Sequence, residues 1–166
     1  MLREGENTNM RRSLRNLVIL TAAAVSAVVS LAAPASANEP MSSYVQVGAT
    51  TLLPGQTFTI TETIYNMESF VVTSGRAALY AKEQPLSGLL DLVSCTGTFV
   101  PCYQYFSSFR GPVGDMAADQ TSTVTFLFRV KDTVPAGTTF TLQNQLVGDN
   151  YAFDTYDGPI ISIWQG

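Results

Sequence analysis

Strict alternation is the feature that most constrains this chain. Thr57 to Asn66 reads Thr-Phe-Thr-Ile-Thr-Glu-Thr-Ile-Tyr-Asn, with Phe58, Ile60 and Ile64 on one parity and Thr57, Thr59, Thr61, Thr63 and Tyr65 on the other. Successive side chains of a strand point to opposite faces, so the run turns an apolar stripe toward a core and a threonine row away from it. Two later segments repeat the pattern. Ser122 to Val130 sets Val124, Phe126, Phe128 and Val130 against Thr123, Thr125 and Arg129, with Leu127 breaking the polar parity. Thr138 to Val147 sets Phe140, Leu142 and Leu146 against Thr139, Thr141, Gln143 and Gln145. Leu53-Pro54-Gly55-Gln56 and Val134-Pro135-Ala136-Gly137 precede two of these runs. Both carry turn chemistry, because proline presets φ and glycine tolerates φ > 0.

Weaker signals fill the intervals. Tyr44 to Thr51 alternates Val45, Val47 and Ala49 with polar residues, as an edge strand does. Phe70 to Val72 and Ala77 to Tyr80 read as two brief strands with a turn at Ser74-Gly75 between them. Gln84 to Gly88 reads as a loop, after which Leu89 to Val93 leads into Cys95, and Ile160 to Trp164 reads as the last strand. No segment after residue 37 shows a sustained i, i+3, i+4 apolar pattern. About seven short strands separated by Gly and Pro turns predict an all-β, antiparallel, immunoglobulin-like β-sandwich.

The N-terminal region follows a different logic. Arg11, Arg12 and Arg15 precede an apolar run from Leu17 to Ala33, and Ala35-Ser36-Ala37 follows as a small-residue box. This is the pattern of a secretory signal peptide over residues 1–37, with cleavage expected before Asn38. The competing reading is an uncleaved membrane anchor, since the run approaches spanning length. Arg11-Arg12 also fits a twin-arginine signal loosely, and Met10 is an alternative start. Cleavage leaves residues 38–166, one domain of about 130 residues. The whole chain carries a net charge of −4, and the leader takes away four arginines against two glutamates, so the exported part is more acidic still. Such a surface has no footprint for nucleic acid or anionic lipid. No second hydrophobic span, lipid-accepting cysteine or C-terminal sorting signal follows, so the expectation is a secreted protein, free or loosely wall-associated, with no stable membrane insertion.

Export places Cys95 and Cys102, the only cysteines, in an oxidising compartment where two cysteines pair. A ring this small contributes about 2 to 3 kcal/mol by the loop-entropy account. The two-residue spacing of redox-active pairs is absent.

With the strands placed, the chain resembles the bacterial conserved-repeat, immunoglobulin-like secreted and surface domain family. The matching text is Leu53-Pro54-Gly55-Gln56-Thr57-Phe58-Thr59-Ile60-Thr61 with Asn66, then Asp119-Gln120-Thr121-Ser122-Thr123-Val124-Thr125-Phe126, then Val134-Pro135-Ala136-Gly137-Thr138-Thr139-Phe140-Thr141-Leu142-Gln143-Asn144. The segment from Val147 to Phe153 and the cysteine pair look like a single-domain branch of that family. Asp119-Gln120 stands where the family usually has glycine, and there is one copy rather than a tandem array. The resemblance implies an extracellular sandwich module and transfers no catalytic residue.

Histidine is absent, which removes Ser-His-Asp and Cys-His catalysis and most zinc sites. Glu62 is the oddity of the first strand, because its parity puts it among Phe58, Ile60 and Ile64. A carboxylate there must be paired or protonated. The structural reading pairs it with Arg76, Arg110 or Arg129, or hydrogen-bonds it to Asn144, which also lies on an apolar parity. The competing reading makes it a functional acid with a shifted pKa. Asp149, Asp154 and Asp157 crowd one loop with Asn150, but their spacing matches no EF-hand, so a solvated loop is preferred and no metal is expected. Tyr103, Tyr105, Phe106 and Phe109 follow the cysteines, and Tyr151, Phe153 and Tyr156 lie before the last strand. These rings are the candidate ligand-binding residues, as a platform for sugars or the wall of an apolar cleft. The competing reading has some of them plugging the core ends.

The expectation is therefore a secreted, non-catalytic binding or interaction module without a cofactor. Its partner would be cell-wall polymer, a surface protein or another copy of itself. The alternative is an extracellular small-ligand carrier, which the disulfide-closed loop and acidic charge make faintly similar to secreted antibiotic chromoproteins. A glycosidase with a carboxylate pair ranks last, since no spacing singles such a pair out.

Overall fold

The computed structural model describes residues 41–164, so the leader expected over residues 1–37, its expected cleavage site and the two alternative starts lie outside the described residues. In chain order the elements are β1 (Ser43–Val47), β2 (Thr51–Leu52), β3 (Thr57–Tyr65), β4 (Val72–Ala81), α1 (Leu86–Leu89), β5 (Leu90–Thr96), β6 (Tyr103–Tyr105), β7 (Ser108–Met116), β8 (Thr121–Val130), β9 (Thr139–Val147) and β10 (Tyr156–Ile163). They form a four-stranded sheet in the order β1-β3-β8-β5 and a six-stranded sheet in the order β2-β10-β9-β4-β7-β6. Every pairing is antiparallel except β2 with β10. The first sheet and the β10-β9-β4 part of the second follow the strand order of an immunoglobulin sandwich, and the β6–β7 hairpin widens the second sheet.

The three alternating runs become β3, β8 and β9, and their apolar parities fill the space between the sheets. Phe58, Ile60 and Ile64 are buried, as are Val124, Phe126, Phe128 and Val130, and Phe140, Leu142 and Leu146. β3 and β8 pair residue for residue from Thr57↔Arg129 to Tyr65↔Thr121, which sets the threonine rows side by side. Thr61 and Thr125 are hydrogen-bonded at 3.1 Å, and Thr63 and Thr123 at 3.2 Å. Phe128 stacks on Phe126 at 5.7 Å and meets Phe109 edge-on at 4.9 Å, each such pair being worth about 0.5 to 1.5 kcal/mol beyond area burial.

Several local readings need correction. The edge strand expected over Tyr44 to Thr51 breaks after Val47, leaving β1 in the four-stranded sheet and β2 in the six-stranded one. Ser74-Gly75 is no turn: β4 runs through it as one strand, and the register shifts against β7 on either side of Gly75. Ser74 takes a positive φ of 53° there, so a bulge absorbs the irregularity that read as a chain reversal. The stretch read as the loop from Gln84 to Gly88 contains the start of α1, which buries Leu86 and Leu89. The β6–β7 hairpin was not expected, because Gly111, Pro112 and Gly114 give β7 the look of a linker. β6, β7 and the two-residue β2 raise the strand count above the seven expected.

Candidate functional site

Cys95 and Cys102 form a disulfide with Cα atoms 6.1 Å apart. Its position matters more than its ring size. Cys95 lies on β5, the outer strand of the four-stranded sheet, and Cys102 immediately precedes β6, the outer strand of the six-stranded sheet. The bridge therefore staples the two sheets at one side of the sandwich. The loop it closes is held at two more points. Phe99 N–H donates to Pro112 O at 2.8 Å, and Gly97 packs so tightly on β8 that a Cβ there would lie 2.1 Å from Thr123 O. Gly97 also has a φ of +83°, so this tight crossing requires glycine.

The clamped loop pushes apolar groups outward. Phe99 is 81% exposed, and Val100 and Val93 stand out beside it. Val93 is turned out by a bulge, since the β5 register jumps from Leu92↔Phe128 to Ser94↔Leu127. Between β5 and the loop runs a groove of about 510 Å³, lined by Leu92 to Cys95 and Thr98 to Cys102 without a charged or amide side chain. The outward edge of β5 is free: among the described residues no backbone hydrogen bond links Asp91 to Thr96 with any strand but β8. Free strand edges are templates for another strand, and this one is bordered by the groove.

The predicted ligand residues divide. Tyr103 and Tyr105 lie exposed on β6, and Phe106, 81% exposed, tips the two-residue β6–β7 turn at a φ of 51°. That conformation is costly for a bulky side chain. Ser87 Oγ and Gln104 Nε2 both donate to Phe106 O at 3.1 Å and hold the tip. The Tyr105 ring packs edge-on against Phe106 at 4.7 Å and carries the Arg110 guanidinium over its face at 4.3 Å. Phe109 does not join them; it is core, 2% exposed, because the strand's alternation turns it inward. Tyr151 is likewise buried, Tyr156 half-buried on β10, and Phe153 exposed. Three strands separate β6 from β10, roughly 19 Å at the usual spacing, so the two aromatic groups do not make one platform. Phe99, Val100 and Val93 were missed. Their only sequence signal is that apolar residues sit inside or beside a short disulfide ring.

The acidic loop is tied by other bonds. Asp149 pairs with Arg76, and Asp157 with Lys82 at 2.7 Å while it accepts from Gln143 at 2.8 Å. Hydrogen bonds from Arg76 and from Lys82 hold these two carboxyls below their ordinary range. Asn150 bridges Thr73 N–H and Val71 O. Among the described residues no three candidate ligands converge on a metal position.

Glu62 is fully buried in the sandwich. Its partner is none of the arginines: Ser43 Oγ donates to Oε1 at 2.7 Å, and Oε2 has no partner. Asn144 instead donates from Nδ2 to Tyr156 O at 3.1 Å, leaving its own Oδ1 unpartnered. Burial pushes the Glu62 carboxyl up to about 8, against the opposing pull of the Ser43 hydroxyl and, behind it, of the Ala78 and Gln145 backbone.

No protein-family model matches the chain, and no curated protein matches it. Solved structures do. AvmM, which catalyzes macrocyclization in alchivemycin A biosynthesis, superposes with a TM-score of 0.51 at 6% identity, over 76% of this chain and 91% of that one. The major pilin subunit of Bacillus cereus matches with a TM-score of 0.46 at 9% identity, over 74% of this chain and 40% of the pilin, so the chain spans well under half of it. A cohesin module from a Clostridium perfringens family 33 glycoside hydrolase matches with a TM-score of 0.46 at 9% identity, over 76% of this chain and 100% of the module. The likeness is one of fold. A likeness of fold does not by itself fix a function.

Proposed function

We propose that this chain is an exported, non-catalytic immunoglobulin-like module of the conserved-repeat kind, which binds a polypeptide at the cell surface through its disulfide-loop face. The observation that carries the reading is the pairing of exposed Phe99, Val100 and Val93 with the free edge of β5. An extended backbone matches the spacing of an open strand edge, and apolar side chains beside that edge select what is added. A groove with no carboxylate, side-chain amide or cation, beside an open strand edge, suits an extended peptide better than a sugar, whose hydroxyls need such partners. A disulfide across the sandwich side fits an oxidising compartment. No helix among the described residues is long and apolar enough to cross a membrane.

The test is co-sedimentation of the exported protein with cell-envelope fractions, with and without protease treatment of the fraction. Saturable pelleting that protease abolishes, and that Phe99→Ser with Val100→Ser weakens by roughly tenfold or more, supports the reading; each buried anchor of an interface contributes on that scale. Pelleting that survives protease points to wall polymer, and pelleting indifferent to the two substitutions removes this face. The groove volume also favours a small-ligand carrier, since it falls within the range of ligand pockets. An added mass in the native protein would support that second reading.

A further inference from the structure

The buried acid has a geometry that packing alone does not require. Glu62 lies on β3, opposite Val45 of β1 and Val124 of β8 in register, with the Ala78 and Gln145 backbone of the other sheet facing its carboxyl. Asn144, the neighbour of Gln145, is buried with an unpartnered oxygen. No facing side chain from β1, β8, β4 or β9 is charged. Ser42, next to Ser43, meets two phenols: Tyr156 OH accepts from Ser42 N–H at 3.3 Å, and Tyr151 also meets Ser42. Burial pushes the Tyr151 phenol up, so it stays neutral. The basic side chains of the described residues are all engaged elsewhere, Arg76, Lys82, Arg129 and Lys131 in ion pairs and Arg110 with Tyr80 and Tyr105.

An ionised Glu62 thus has the Ser43 hydroxyl and the facing Ala78 and Gln145 backbone to oppose its desolvation, and no counter-charge. A protonated Glu62 needs no counter-charge, and its own O–H becomes a donor. Two strands flank it, and they differ in how easily they yield. β8 is central and pairs on both sides, whereas β1 is five residues long, ends the sheet and pairs only with β3. Water reaches a newly formed carboxylate at least cost by lifting β1. The Ser43–Glu62 hydrogen bond is the interior tie of that strand.

We propose that Glu62 is a proton latch for β1: protonated, it keeps the strand seated on β3, and ionised, it drives the strand off and opens the β3 edge. The device lies at the opposite end of the four-stranded sheet from β5 and is independent of the disulfide-loop face.

Amide hydrogen exchange tests it, compared at about pH 6 and about pH 9 after correction for base catalysis of exchange. The expected result is a loss of protection of roughly tenfold or more at Val45 and its β1 neighbours on the alkaline side, with β8 and β9 unchanged and Glu62→Gln protected at both pH values. Unchanged β1 protection in the wild type overturns the proposal, as does equal loss in Glu62→Gln. Should that variant not fold, carbon NMR titration of the wild-type Glu62 carboxyl decides. A midpoint shared with the β1 amides supports the latch, and a midpoint in the ordinary carboxylate range overturns it.

Discussion

Asn66 ends β3 and is buried, yet every polar atom of its side chain is used. The two Nδ2 protons are shared among Phe70 O, Met116 O and Ala117 O at 2.8 to 3.0 Å, and Oδ1 accepts from Glu68 N–H at 3.0 Å. One side chain thereby ties the end of β3 to the β7–β8 connection. Asn66→Ala removes one buried and two part-buried bonds to carbonyls and should cost roughly 2 to 4 kcal/mol, read from denaturant unfolding; a cost under about 0.5 kcal/mol would contradict this role. The sequence flagged Asn66 only as the last residue of a matching motif. Glu62 was legible as an anomaly of parity, but its partner was not, because Ser43 sits on a strand whose register no local pattern fixes. Its pH effect has a definite sign. The carboxyl titrates near 4.5 when unfolded and at about 8 when folded, so between those values the folded state holds a proton that the unfolded state has released. Stability is full below the lower value, falls as pH rises by up to about 1.4 kcal/mol per unit, and levels off above the higher one. Melting temperatures across that window should decline for the wild type beyond any decline in Glu62→Gln; parallel profiles would contradict the assignment.

At the scale of elements, strands with an unbroken period of two were legible, and those whose register is broken by bulges were not. β3, β8 and β9 carry runs of four or more alternations and pair without a shift along most of their length. β4 hides a bulge at Ser74-Gly75, and β7 mixes Gly111, Pro112 and Gly114 into a strand that no propensity argument would choose. The disulfide was legible from compartment and count, but not that it joins the outer strands of two sheets. Replacing both Cys95 and Cys102 by serine should lower stability by about 2 to 3 kcal/mol. It should also raise hydrogen exchange at Phe99 and Val100 before it affects β8. Gly97→Ala tests the same element from another side, since the crossing over Thr123 leaves no room for a methyl group. It should destabilise by more than the roughly 1 kcal/mol that an unhindered positive-φ glycine costs.

For the molecule as a whole, the layer architecture follows from patterning, because three amphipathic strands and their Pro-Gly turns leave few ways to bury one face each. Function does not follow in that way. It rests on groups that break the pattern: apolar side chains on a clamped loop, a bulge that exposes Val93, and an edge strand left open. The candidate rings of the sequence are split between core and surface by strand parity, and Phe99, as exposed as Phe106, has no periodic context to announce it. The most direct test of the interaction reading is hydrogen exchange of the protein, free and bound to the envelope fraction that sediments it. The account predicts slowing concentrated between Leu92 and Cys102, with the β5 amides that face away from β8 protected most. Saturated binding without slowing there, or with slowing concentrated on β1 or β10, would contradict it.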